Sequence, residues 1–208
     1  NKLAENDSVS IILSSGDIQL QERPKKLVFV IHVEWYDSAK SVEDIEVLYN
    51  LWVRSLWFVR NNNNSLSGCH ISSDVWLSWL GAECISYMNE VWMIIDTAHM
   101  SHHAMMDVIR YSTKPIINSH SNLFSLCDHS RNVRDEFLIA LAKNWWVLWI
   151  SVCSSFVNGK WSSATIKDLL LHISYIRKLI WDDFISLWTD FHWLVRDDII
   201  TDIQDVDG

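Results

Sequence analysis

The sequence predicts an α/β fold built on parallel strands, and three observations predict it. Apolar runs of strand length alternate with segments of helical period along the chain. Hydrophobic residues make up 49% of the 208 residues, enough for one sizeable core. No Pro/Gly/Ser-rich linker and no repeat other than the βα alternation interrupts the chain, so residues 1–208 are read as a single domain.

In chain order, the first 26 residues carry the weakest pattern, a short strand at Ser8 to Leu13 and a helical turn after Gly16. Six strands are then expected at Leu27 to Val33, Val53 to Val59, Met93 to Asp96, Pro115 to Ser119, Val147 to Val152 and Phe184 to Thr189. Between them, Val42 to Asn50, Ala82 to Glu90, His102 to Tyr111, Val133 to Lys143 and Thr165 to Leu179 carry apolar residues at i, i+3, i+4 and i+7, the stripe of a one-sided helix. Ser41 ahead of Glu43 and Asp44, and Ser101 ahead of the helix with Met105, Met106 and Ile109, read as N-caps. Asn61 to Asn64 followed by Ser65-Leu66-Ser67-Gly68 reads as a polar loop.

Composition excludes several function classes. The net charge is −9 and the 17 Lys and Arg form no run longer than Lys25-Lys26, which leaves no footprint for nucleic acid. Cys69, Cys84, Cys127 and Cys153 lie far apart with no C-x-x-C pair, so neither a zinc ribbon nor a disulfide scaffold is expected. No segment approaches the roughly 18 consecutive apolar residues of a membrane span. The start lacks the basic and apolar regions of a signal peptide, and a cytoplasmic location is expected.

In a parallel barrel, chemistry gathers at the C-terminal ends of the strands. Those ends read Glu34, Arg60, Asp96 with His99, His120, and Asp190. Three of them are flanked by small hydroxyls: Asp96-Thr97-Ala98-His99-Met100-Ser101, Ser119-His120-Ser121 and Thr189-Asp190. Imidazole and carboxylate ligate zinc, and neighbouring hydroxyls can fix an imidazole tautomer. A lone histidine in such a place is more often a hydrogen-bonded loop residue than a ligand. Spacing alone therefore leaves a metal site and a pair of ordinary loop histidines both open.

The runs Met93-Ile94-Ile95-Asp96-Thr97-Ala98-His99-Met100-Ser101, Pro115-Ile116-Ile117-Asn118-Ser119-His120-Ser121 and Ser130-Arg131-Asn132-Val133-Arg134-Asp135, with Val33-Glu34 before them and Thr189-Asp190-Phe191 after, together resemble the consecutive signature of the renal (membrane) dipeptidase family. The resemblance implies a partial (β/α)8 TIM barrel with six of eight strands, the N-terminal strands and C-terminal helices being missing. It implies a zinc-dependent dipeptidase in which a hydroxide shared by two zinc ions attacks the peptide bond of a small dipeptide, in a protein that can form a homodimer. Glu34 matches the carboxylate bridging the two ions, and His99 and His120 match the imidazoles on the second ion. Arg131 matches the residue holding the substrate carboxylate, and Asp190 the catalytic residue near the scissile bond and the substrate amine.

Three departures qualify the match. The family's His-x-Asp pair on the first zinc has no counterpart, the earliest histidine being His32. Arg60 stands where the family has a substrate-contacting histidine, and Phe191-His192-Trp193 replaces Phe-Asp-Gly. The expectation is that the 208 residues alone are inactive. Two rivals stand beside the dipeptidase: a non-catalytic barrel homologue that binds a peptide or protein partner, and a metal-dependent amidohydrolase acting on a cyclic amide. The remaining histidines are expected to be structural or peripheral, with His172 structural.

One count is abnormal: 13 Trp against 5 Gly. Many of the tryptophans, among them Trp35, Trp52, Trp92, Trp145, Trp146, Trp181 and Trp188, fall at turns where the fold or the resemblance calls for glycine. The expectation is a gene from a lineage that reads UGA as glycine, translated with a table that reads it as tryptophan.

Overall fold

Six parallel strands lie side by side in the order in which the chain makes them: β3 (Ile31–Val33), β4 (Val53–Trp57), β5 (Ile94–Asp96), β6 (Ile116–Asn118), β7 (Val147–Ser151) and β8 (Ile185–Trp188). Each parallel step needs a crossover. It is supplied by α2 (Val42–Asn50), α3 (Trp79–Glu90), α4 (His102–Tyr111), α5 (Asp135–Lys143) and the pair α6 (Ser154–Asn158) and α7 (Ile166–Ile180). Sequential order with helical crossovers is the repeating unit of a (β/α)8 barrel, here six strands of it, as expected. This is a computed structural model, and it describes residues 9–19, 27–72, 74–144, 146–160 and 163–189. Asp190, Trp145 and the segment 191–193 lie outside the described residues.

The sheet is covered on its helical face, so its central strands are apolar on both sides. In β4, Val53, Ser55, Leu56 and Trp57 are all buried, and Phe58 and Val59 continue the run. Ile45, Ile85, Met88, Val108, Phe137, Leu138 and Ile176 bring the inner stripes of the helices onto that surface. The four cysteines are free and buried, and burial pushes the Cys84 thiol up to about 12, which makes it a packing residue and no nucleophile.

Helix limits follow from local hydrogen bonds. Asp44 accepts from the Lys40 and Ser41 amides (2.7 and 3.1 Å) ahead of α2. Ser101 accepts from the Ala104 amide (3.0 Å) at the start of α4. Thr165 accepts from the Asp168 amide (3.3 Å), while Asp168 accepts from the Thr165 amide (2.9 Å), a reciprocal capping box for α7. Thr165→Ala is expected to cost about 1 kcal/mol, read as a lowered Tm.

Several expectations are corrected. Leu27 to Val33 is not one strand: β2 (Leu27–Phe29) pairs with β1 (Val9–Ile11) in a separate two-stranded sheet, and only β3 joins β4. A bulge between Ile31 and His32 accompanies the break, and the Arg54 guanidinium ties the N-terminal segment to β4 by donating to the Leu13 carbonyl (2.9 Å). α3 starts at Trp79 and not Ala82, because the Ser78 hydroxyl accepts from the Gly81 amide (2.9 Å). α5 starts at Asp135 and not Val133, whose amide donates instead to the Asn122 carbonyl (2.9 Å).

Four tryptophans have φ in the left-handed region, three of them at helix ends. Trp52 (φ 74°) and Trp92 (φ 58°) follow the last turns of α2 and α3, and Trp181 (φ 77°) closes α7. The conformation costs an L-residue roughly 1–2 kcal/mol and costs glycine almost nothing. α6 ends on a glycine at positive φ, Gly159 (φ 77°).

Candidate metal centre

β5 and β6 pair in register through Ile95 with Ile116 and Asp96 with Ile117, so the loops beyond their C-terminal ends emerge side by side. One carries His99 and the other His120, and their Nε2 atoms face each other at 2.9 Å. Asp96 joins the two loops from below: its buried Oδ1 accepts from the Ala98 amide (2.9 Å) and from the Ser119 amide (3.1 Å). Burial pushes the Asp96 carboxyl up to about 6 against these bonds.

Each imidazole is also held from behind. His99 Nδ1 meets Asn61 Oδ1 at 3.2 Å, and His120 Nδ1 meets Ser119 Oγ at 2.8 Å. The amide oxygen of Asn61 can only accept, so Nδ1 of His99 carries the proton. Nε2 of His99 is thereby left with a lone pair aimed at His120. His99 itself has φ 66°, backbone strain of the kind that collects at functional sites.

The loop after β4 lies over this pair. The His70 amide donates to the His99 carbonyl (2.7 Å), and the Ser101 amide to the Gly68 carbonyl (2.9 Å). A Cβ at Gly68 would stand 2.2 Å from the Val75 carbonyl oxygen, so only glycine permits that closeness. His70 then bridges Ser130 Oγ (Nδ1, 2.8 Å) and Asn61 Oδ1 (Nε2, 3.1 Å). Asn61 thus accepts from two imidazoles at once.

Burial above all, with the positive charge of Arg131 next, holds His99 and His120 well below the ordinary imidazole range. Both are neutral ligand-type imidazoles at pH 7. The Ser119 hydroxyl can donate to or accept from His120 Nδ1, so Nε2 of His120 either donates to the His99 lone pair or turns its own lone pair, with that of His99, toward a shared cation. Two nitrogens on one tetrahedral zinc stand roughly 3.3 Å apart, given Zn–N near 2.0–2.1 Å, so a few tenths of an ångström of opening admits the ion. With both Nε2 atoms unprotonated, the pair offers two nitrogen donors to one metal ion.

The other expected residues are distributed as follows. Arg131 is buried beside the pair, its Nη2 donating to the His120 carbonyl (3.0 Å) with its guanidinium 5.2 Å from the Phe156 ring. Arg60, beyond the end of β4, lies over the Trp35 ring at 4.5 Å. Glu34 follows β3 at the edge of the sheet. Among the described residues, no three His, Cys, Asp or Glu side chains are grouped to hold a metal ion. The Trp57 indole fills the space between the strand ends, with ring centroids 4.8 Å from His32, 5.3 Å from His99 and 4.9 Å from His120. His172 is structural: its Nδ1 accepts from the Leu123 amide (3.1 Å) and its Nε2 donates to the Val157 carbonyl (2.8 Å).

Sequence reasoning missed Asn61 and His70, which read as loop polarity. The signal available for Asn61 was its position directly after Arg60 at a strand end.

The model of the membrane dipeptidase family (peptidase family M19) matches residues 1–206. The chain belongs to this family. An uncharacterized dipeptidase of Schizosaccharomyces pombe is 35% identical over 173 residues, 80% of this chain and 42% of that protein. A protein of Klebsiella pneumoniae, described as lying in the pqqA 5′ region, is 27% identical over 205 residues, 93% of this chain and 75% of that one. The chain thus spans less than half of the yeast dipeptidase it matches. Among solved structures, a metallo peptidase of Rhodobacter sphaeroides, bound to a phosphinate mimic of the dipeptide L-Ala-D-Ala, superposes with a TM-score of 0.85 at 17% identity. That match covers 98% of this chain and 60% of that one. The dipeptidase AC superposes at 0.86 and 18% identity, over 98% of this chain and 63% of that one. These two likenesses bear on the fold. No described helix of this family member is long and apolar enough to cross a membrane.

Proposed function

We propose that this membrane dipeptidase family member carries the second-metal half of a two-zinc centre for hydrolysing dipeptides, within one incomplete barrel domain spanning residues 1–208. The observation that carries the reading is the pair of Nε2 atoms of His99 and His120 at 2.9 Å, each ring held through Nδ1 from behind. Glu34, the residue after β3, is assigned the bridging carboxylate on the family resemblance. When bound, zinc supplies Lewis acidity that polarises the scissile carbonyl and lowers the pKa of water.

The protein's own residues do the rest. Arg131 offers a planar guanidinium to the substrate's terminal carboxylate from a buried position, where water competes least. Arg60 lies on the same side and adds a second cation near the pair, as its effect on both imidazoles reflects. Asp190 is assigned the proton transfer to the leaving amine, from the residue that follows β8 and Thr189. A small dipeptide suits a site flanked by two fixed guanidinium groups better than a long peptide does.

Zinc titration of the purified chain tests the reading: one zinc per chain is expected, and no binding above that of an unfolded control would overturn it. Asn61→Ala is expected to weaken zinc binding about 10- to 100-fold by releasing the His99 tautomer, measured by chelator competition. The 208 residues contain no His-x-Asp pair, so by themselves they are expected to leave a dipeptide uncleaved. Turnover by the purified chain with added zinc would refute that inactivity. A chain that binds a peptide without zinc would favour the non-catalytic homologue instead.

A further inference from the structure

Five residues other than glycine have φ in the left-handed region: Trp35 (42°), Trp52 (74°), Trp92 (58°), His99 (66°) and Trp181 (77°). Four of the five are tryptophan, in a chain where 13 of 208 residues are tryptophan. Bulky side chains avoid this region, and glycine is its usual occupant. Trp52, Trp92 and Trp181 each end a helix and turn the chain toward the next strand, the position at which glycine closes helices. Burial does not offset the strain, since Trp92 is 68% exposed and Trp181 73%.

A second, independent anomaly lies at the metal centre. Trp57 is buried against His32, His99 and His120, and Trp188 stacks over His120 with ring centroids 5.8 Å apart. The indole N–H groups of Trp57 and Trp188 are buried and have no acceptor among the described residues. A buried indole ordinarily finds one. These two rings thus strain the fold and also occupy the space that a ligand of the histidine pair would need.

We infer that positions 35, 52, 57, 92, 181 and 188 carry glycine in the protein as its source makes it, through a UGA codon read there as glycine, and that glycine at 57 and 188 opens a substrate pocket over His99 and His120. Glycine inside a strand is the residue that lets a ligand approach the backbone closely. Position 35, next to Glu34, then gives that carboxylate a backbone free to turn toward the histidines. The pocket rests on the dipeptidase reading of the site, whereas the backbone assignment stands without it.

The coding sequence and peptide mass spectrometry of the protein from its source test the assignment. UGA codons and glycine-containing peptides at 52, 57 and 92 are expected; UGG codons or tryptophan in those peptides overturn it. In recombinant protein, Trp52→Gly and Trp92→Gly are each expected to raise Tm by roughly 2–4 °C, although glycine ordinarily lowers it. A fall in Tm at both positions overturns the strain argument. The pocket is tested in the chain with all six substitutions, which is expected to bind zinc at least tenfold more tightly than the chain with tryptophan. Equal affinity, with both forms folded by circular dichroism, overturns the pocket and leaves the codon result to decide the assignment. If neither form binds zinc, the metal reading fails and the assignment is again judged by its codons.

Discussion

Replacing His120 with alanine is expected to cost the chain its zinc site. The Nε2 of His120 is one of two converging nitrogens, and nothing else among the described residues is grouped to replace it. Removal of an outer partner such as the Ser119 hydroxyl lowers metal affinity about 10- to 100-fold. Removal of the ligand itself is expected to exceed that range. Chelator competition on His120→Ala and Ser119→Ala, side by side, separates the two. If His120→Ala binds zinc as tightly as the unaltered chain, His120 is an ordinary loop histidine. The substitution leaves the Arg131 bond to the residue 120 carbonyl available, because that contact is to the backbone, so the fold is expected to survive.

Acid is expected to unfold the protein early, between pH 6.5 and about 4. His99 and His120 are held neutral by burial, His32 is lowered to about 4, and His70 to about 3. The sign follows from linkage. A group whose folded pKa is depressed takes up its proton on unfolding, so its contribution is present above 6.5 and is lost as pH falls. The buried His120, held well below the usual range, loses its contribution progressively below 6.5. Asp96 acts in the opposite direction. Its carboxyl is raised to about 6, so its contribution is fully present below 3.8 and disappears as pH rises through 6. One carboxyl against several imidazoles leaves a net fall toward acid. Thermal melts from pH 7 to pH 4 check this, and a constant Tm across that range would contradict it. Asp96→Asn is expected to make the fall steeper, because the opposing group is gone.

Helices were legible where their signals are local. Val42–Asn50 and His102–Tyr111 were read with the limits they have, because Ser41 with Asp44, and Ser101, cap within a few residues. Leu27 to Val33 was misread because an apolar run does not record which sheet each half joins. The five-residue α6 was missed because one turn is too short to display a helical period. At the site, the hydroxyls beside His120 suggested a held tautomer, and Ser119 is within hydrogen-bond distance of that ring. For Asn61, 38 residues from His99 in sequence, the strand-end position beside Arg60 marked the place but not the partner.

The sequence by itself determined the family, the alternation of strands and helices, and which strand ends carry imidazole, carboxylate and guanidinium. These properties are written in residue type and in spacings of two, three or four. Only the tertiary structure decided that His99 and His120 converge, because their meeting depends on the register of β5 against β6 and on Asp96 tying both loops. Only it decided, too, that the Trp57 and Trp188 rings pack against His120. The direction of a side chain at a strand end is set by the pairing of neighbouring strands, and that pairing is fixed by contacts far apart in the chain.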